Sequence, residues 1–200
     1  RKSFSRFTRL FLVSPDGTGL EELIMHEASQ GSFSPDGTKI AYTRDGTEFR
    51  TWKRYKGGLA QDLYLFDFTK NQDTRLTDFE GTDRIPMWIG ERIYFNSDRD
   101  RVLNIYAYDT RSGHIEQVTH HTEYDVRRPS MGGDQIIYEL GGSLWLLDTT
   151  TGESHEVPVQ ILTDAPERRP YLKEVKDFIT GVECSPRSEA RRGGKEWSSR

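Results

Sequence analysis

The sequence predicts an all-β protein assembled from repeated four-stranded units of about 40 residues. Three observations carry this. Strand-like runs ending in aspartate recur at fixed spacing: QDLYLFD from Gln61, LNIYAYD from Leu103 and GSLWLLD from Gly142 place Leu63, Ile105 and Leu144 42 and 39 residues apart. Prolines recur with them, Pro86 and Pro129 standing 43 apart. No apolar period of 3.6 residues persists anywhere, so no long amphipathic helix competes with the strand reading.

The elements follow in order. RLFLVSPDGTGLEEL reads as strand, turn and strand. LEELIMHEA from Leu20 has helical composition, but it is too short to stand alone as a helix and the repeat places a strand there. GSFSPDGTKIAYTRDG supplies a short strand, a D-G turn and another strand, the glycine allowing the positive φ that a tight hairpin requires. An insertion, EFRTWKRYKGGLA, then separates the strand at Lys39 from the one at Asp62. After QDLYLFD come TRLTDF from Thr74 and RIPMWIGERIYFNSD from Arg84. The next unit repeats the order as LNIYAYD, EQVTHH from Glu116 and RPSMGGDQIIYE from Arg128. GSLWLLD and its turn DTTTG follow, and FITGVECSP from Phe178 reads as the next inner strand.

Four short strands per unit of this length is the arithmetic of a β-propeller blade. One blade cannot bury both faces, so each needs neighbours around an axis. Residues 1–186 are predicted to form an incomplete propeller of the TolB or WD-repeat-like type: three full four-stranded blades plus part of a fourth, an open arc that does not close on itself. Isolated, such an arc is expected to associate through its uncovered ends.

Composition excludes several functions. The formal net charge is −4, which argues against a broad nucleic-acid surface. Charged residues make up 30% and mean hydropathy is −0.77; no apolar run approaches the roughly 18 residues of a membrane span. The basic-then-apolar start, RKSFSRFTRLFLVSPDG, has only Leu10–Val13 as its apolar stretch, too short for a signal peptide. The chain does not begin with methionine, so the protein's own N-terminus is expected upstream. The sole cysteine, Cys184, has no internal disulfide partner and reads as a small buried strand residue.

Chemistry-bearing motifs are missing from the sequence: it holds no G-x-S-x-G, H-E-x-x-H, P-loop, C-x-x-C or calcium-loop pattern. No catalytic residue, cofactor or metal ligand is assigned. His114 and the pair His120-His121 read as solvated turn residues, since adjacent histidines on a strand point to opposite faces. Asp98 and Asp100 read as turn-capping groups that pair with Arg99 or Arg101. Two arginines stand out. Arg84 and Arg127 each lie two residues before the repeat proline, one per blade, near the start of the strand that reads as innermost. They form either a cationic rim that attracts peptide carboxylates or local pairs with Asp83 and Asp125. Arg168 also stands two before a proline but falls in a connecting segment. In the insertion, Trp52, Lys53, Arg54 and Tyr55 precede Gly57-Gly58. This aromatic–basic cluster either contacts a ligand by stacking and cation–π attraction or clasps a neighbouring blade.

GSFSPDGTKIAYT, EFRTWKRYKGG, RLTDFEGTDRIPMWIGERIYFNSDRD, LNIYAYD, YDVRRPS and ELGGSLWLLD together resemble the first propeller of the tricorn-type serine proteases. The S-P-D-G hairpin is shared with TolB-type propellers; W-K-x-Y-x-G-G followed by P-M-W-I-G-x-x-I-Y-F is far more specific. The resemblance covers residues 9 to 186. It implies a large cytoplasmic peptidase, a homo-oligomer when intact, with two propellers, a PDZ-like domain and a distant serine catalytic core, in which propellers control the passage of peptides. None of the core motifs occurs in this chain, so the chain itself is expected not to hydrolyse peptides. A non-enzymatic TolB-type interaction module, periplasmic if a signal peptide lies upstream, and the propeller of a prolyl-oligopeptidase-like hydrolase are the competing readings. After Pro186 the pattern calls for a turn and an apolar strand; residues 187–200, RSEARRGGKEWSSR, resemble a translated sequencing adapter instead and are read as a non-native tail.

Overall fold

The computed structural model describes residues 8–25, 27–46, 53–160 and 168–179. The chain divides into two compact units, Arg1–Val159 and Gln160–Arg200. In the second unit the described residues include a 3-10 turn, Lys176–Phe178. Phe178, expected to open a strand, therefore lies in that turn. Cys184 and the tail from 187 to 200 lie outside the described residues.

The first unit is all β. A two-stranded sheet, β1 (Phe11–Leu12) and β2 (Glu21–Glu22), comes first. Three four-stranded antiparallel meanders follow: β3 (Ser29–Phe33), β4 (Lys39–Thr43), β5 (Leu63–Asp67) and β6 (Gln72–Arg75); β7 (Asp83–Ile89), β8 (Arg92–Ser97), β9 (Asn104–Asp109) and β10 (Ile115–Gln117); β11 (Arg127–Gly132), β12 (Gln135–Leu140), β13 (Ser143–Asp148) and β14 (Ser154–Val157). These are the three full blades and the part of a fourth, the partial one standing at the N-terminal side. The blade frame begins two strands earlier than the sequence repeat: each aspartate-ended run is a third strand. The first sequence unit is accordingly split between the β1–β2 sheet and the first full blade.

The terminal aspartates have a local cause. Asp67, Asp109 and Asp148 each turn the chain by accepting hydrogen bonds from backbone N–H groups two and three residues on: Thr69 and Lys70, Arg111 and Ser112, Thr150 and Thr151. Such Asx turns favour the ionised carboxylate, and all three pKa values fall below the usual carboxylate range.

Three apolar layers glue the four sheets together. Leu23, Met25, Ala28, Ile40, Tyr42 and Phe66 form the first, with Leu10 packed on it. Ala41, Leu63, Trp88, Ile93, Phe95 and Tyr106 form the second. Met87, Tyr94, Ile105, Ala107, Val126, Ile136, Tyr138 and Leu147 form the third. Period-two alternation explains the partition: on β8, Ile93 and Phe95 enter the second layer while Tyr94 enters the third. Among the described residues no such layer covers the far face of the last blade, and Ile137 and Leu144 are exposed there.

The first strands β3, β7 and β11 lie next to one another from blade to blade. Each begins with the same device. The ladder to the second strand slips between Ser29 and Ser32, between Arg84 and Met87, and between Arg127 and Ser130. Within each bulge one residue is left-handed: Gln30 at φ 46°, Ile85 at 55° and Arg128 at 47°. Pro86 and Pro129 occupy the bulges, where no ladder donor is required. Adjacent blades are tied at this level. Gln30 Oε1 accepts the Ile85 N–H at 3.1 Å, and Ser32 Oγ accepts the Trp88 N–H at 2.9 Å. The residue before each bulged pair also repeats a backbone bond to the preceding blade: Ala28 N–H to Thr8, Asp83 N–H to Gln61 and Val126 N–H to Leu103, at 3.0, 2.8 and 2.7 Å.

Candidate functional site

The bulges align three positions at one end of the blades: Ser29, Arg84 and Arg127, facing Thr43, Asn96 and Glu139 across their ladders. The structure thus brings Arg84 and Arg127 to equivalent places on neighbouring inner strands. They are close enough that the Arg127 charge disfavours the protonated form of Arg84.

The local pairs expected with Asp83 and Asp125 are not formed. Asp83 is 0% exposed and pairs with Arg99 at 2.7 Å; Asp125 pairs with Lys53 at 2.6 Å. Arg127 instead faces Glu139 at 3.8 Å, and Arg128 shares that carboxylate at 3.7 Å. For Asp83 the reason is the pleat: consecutive strand residues point to opposite faces, so Asp83 turns inward as Arg84 turns away from it; Asp125 is instead taken by Lys53 of the insertion. Arg99, which the sequence did not single out for this role, lies with its guanidinium 5.0 Å from the Phe79 ring and 5.7 Å from that of Tyr106.

Arg84 is half-buried, and its Nε is enclosed without a hydrogen-bond partner. Burial lowers its pKa, opposed by Asp98 and Asp125. Asp98 does not pair with its neighbouring arginines; its carboxylate accepts the Thr82 N–H at 2.8 Å. Asp100 accepts a hydrogen bond from the Tyr106 hydroxyl at 3.1 Å.

The insertion crosses from the first full blade to the other two. Besides the Lys53–Asp125 ion pair just before β11, Arg54 Nε donates to the Arg101 carbonyl between β8 and β9 at 2.8 Å. These contacts make a clasp. Tyr55 is half-buried, and its hydroxyl reaches Gly57, whose φ of 153° is one that L side chains rarely adopt. Trp52 lies outside the described residues. Between the clasp and the start of β7 is a cavity of about 50 Å³, lined by Lys53, Arg54, Thr82, Arg84, Asp98, Arg101, Leu103 and Asp125.

The histidines correct another expectation. His121 is not a solvated turn residue: its Nε2 lies 3.0 Å from the Tyr138 hydroxyl and its ring meets Trp145 edge-on at 5.5 Å. Burial, then the neighbouring His120, depresses its pKa. A histidine depressed in the folded state takes up its proton more readily when unfolded, so its contribution to stability is present above the unfolded pKa of about 6.5 and lost as pH falls. The urea midpoint is therefore expected to drop between pH 7 and pH 5, with the drop reduced in His121→Phe; an unchanged pH slope in that variant would rule the effect out. Among the described residues no group of three or more His, Cys, Asp or Glu is placed to hold a metal ion, and no helix is long and apolar enough to cross a membrane.

Residues 1–153 match the profile of the tricorn protease N-terminal beta propeller domain. The chain belongs to that family. Its curated relatives include the tricorn protease homolog of Saccharolobus solfataricus, 25% identical over 176 residues, and the tricorn protease of Thermoplasma acidophilum, 27% identical over 166. The alignments cover 88% and 83% of this chain but 16% and 15% of those proteins, so the chain spans about a sixth of its relatives' length. The crystal structure of the tricorn protease superposes with a TM-score of 0.71 at 26% identity, over 80% of this chain and 15% of that one. TolB from Acinetobacter baumannii superposes at 0.60 with 22% identity, covering 77% of this chain and 39% of TolB, a likeness of fold alone. This tricorn-family chain is thus homologous to a peptidase and covers its propeller region only.

Proposed function

We propose that this propeller arc borders the peptide route of a tricorn-type serine peptidase and controls peptide access or product exit. The supporting observation is the placement of Arg84 and Arg127 at equivalent bulges on adjacent inner strands, with the side chain of Arg127 59% exposed. Cationic groups at a constriction raise the local concentration of anionic ligands, and a peptide's free carboxyl end is such a ligand. The same reading assigns the intact protein to the cytoplasm as a homo-oligomer. Catalysis is left to domains beyond the propeller; the chain's role is delivery.

The test uses the intact protein carrying this propeller. Replacing Arg84 and Arg127 together with glutamine is expected to slow turnover of free-carboxyl peptides more than that of their amidated forms at low salt. The gap should narrow as the screening length falls to about 8 Å at physiological ionic strength. Equal effects on the two peptide classes at low salt would sink the rim.

A further inference from the structure

We infer that the cavity between the insertion and the start of β7 is a binding site for one compact oxyanion, with the Arg84 guanidinium as its principal ligand. This site shares Arg84 with the peptide-route reading but not the exposed Arg127–Arg128 pair, which does not line the cavity, and it stands whether or not that reading does.

Charge comes first. Four basic side chains and two acidic ones line the cavity, and both acids are already engaged. Asp98 accepts the Thr82 N–H at 2.8 Å. Asp125 takes the Lys53 ammonium at 2.6 Å and the Leu103 N–H at 3.0 Å. Arg54 spends its Nε on the Arg101 carbonyl. Arg84 is left with a buried, unpartnered Nε. A desolvated cation without a directly bonded anion is costly, and proteins keep such groups where a ligand completes them.

Size and shape come next. About 50 Å³ accommodates a carboxylate or phosphate group, not a peptide segment. A guanidinium presents its donors in a fixed planar fork that suits both oxyanions. The insertion supplies one wall through Lys53 and Arg54, so the clasp closes the cavity as it joins the blades. The ligand chemistry has two sources: the carboxylate of a peptide end or acidic side chain, and phosphate.

The test titrates sodium phosphate and, separately, sodium acetate into the 200-residue chain at constant ionic strength, read by calorimetry and by thermal shift. Saturable binding to wild type, lost in Arg84→Met, is expected. Binding of both anions assigns a carboxylate-accepting site; binding of phosphate alone assigns phosphate. In anion-poor buffer Arg84→Met should melt no lower than wild type, since it removes a guanidinium whose buried Nε has no hydrogen-bond partner. Lys53→Met is the second variant: it leaves Arg84 in place but frees Asp125 to neutralise it, so affinity should fall at least tenfold even if Arg84→Met does not fold. No saturable binding of either anion to wild type, or wild-type affinity retained in Arg84→Met or in Lys53→Met, would overturn the assignment.

Discussion

Replacing Ile136 with alanine is expected to destabilise the chain by about 2–5 kcal/mol, while the same change at Ile137 should cost about 1 kcal/mol or less. The two residues are neighbours on β12, identical in chemistry and opposite in direction. Ile136 is 0% exposed and lies in the layer with Met87, Tyr94 and Ile105; Ile137 is 38% exposed on the far face of the last blade. Alanine at 136 leaves a cavity that packed neighbours cannot fill, whereas at 137 it removes atoms that already meet solvent. Denaturant unfolding of the two variants measures the difference directly. Equal losses would mean that the far face is covered in solution. In a longer chain whose next blade covers that face, the cost at Ile137 should climb toward that at Ile136.

Removing Arg99 is expected to be as damaging. Arg99→Met leaves the Asp83 carboxylate buried without its partner, a change that costs about 3–5 kcal/mol in comparable sites. Burial already pushes the Asp83 carboxyl up, and Arg99 and Ser97 pull it back. Without Arg99 the folded pKa rises further above the unfolded value of about 3.9. A carboxyl raised in the folded state holds its proton there after the unfolded chain has released it. Stability of the variant is therefore lost as pH rises and regained as pH falls toward that unfolded value. Urea melts at pH 7 and pH 5 should show the gap to wild type shrinking at the lower pH; a gap that widens would refute the argument. The equivalent positions in the neighbouring blades are Ala28 and Val126, both 0% exposed. Asp83→Val with Arg99→Met together should consequently recover most of the loss.

The propeller was legible because its punctuation is local. An aspartate that builds an Asx turn must stand at the end of its strand, and a proline in an inner strand must sit where the ladder needs no donor. Both leave marks at fixed spacing. The blade frame was less legible, because hairpin spacing is the same wherever counting starts; only the ladder shows that β3 and β4 pair onward with β5 rather than back with β1 and β2. The insertion also hid Ser29 as the counterpart of Arg84, stretching that interval to 55 residues against 43 between Arg84 and Arg127. The arginines themselves were found, but their partners were not. Sequence adjacency suggested Asp83 and Asp125, while strand direction and the reach of Lys53 across two blades decided the actual pairing. Contacts between residues 72 positions apart, as Lys53 and Asp125 are, leave no trace in a repeat.

The bulge that opens each inner strand has a consequence for how such a molecule changes over generations. Backbone bonds and left-handed residues hold that corner the same way in all three blades, yet the residue just before it is a serine in one and an arginine in the other two. The backbone at that point keeps one geometry with either side chain. Charge around the axis is thus open to revision by single substitutions, one blade at a time, while the apolar layers below stay under strict selection for packing.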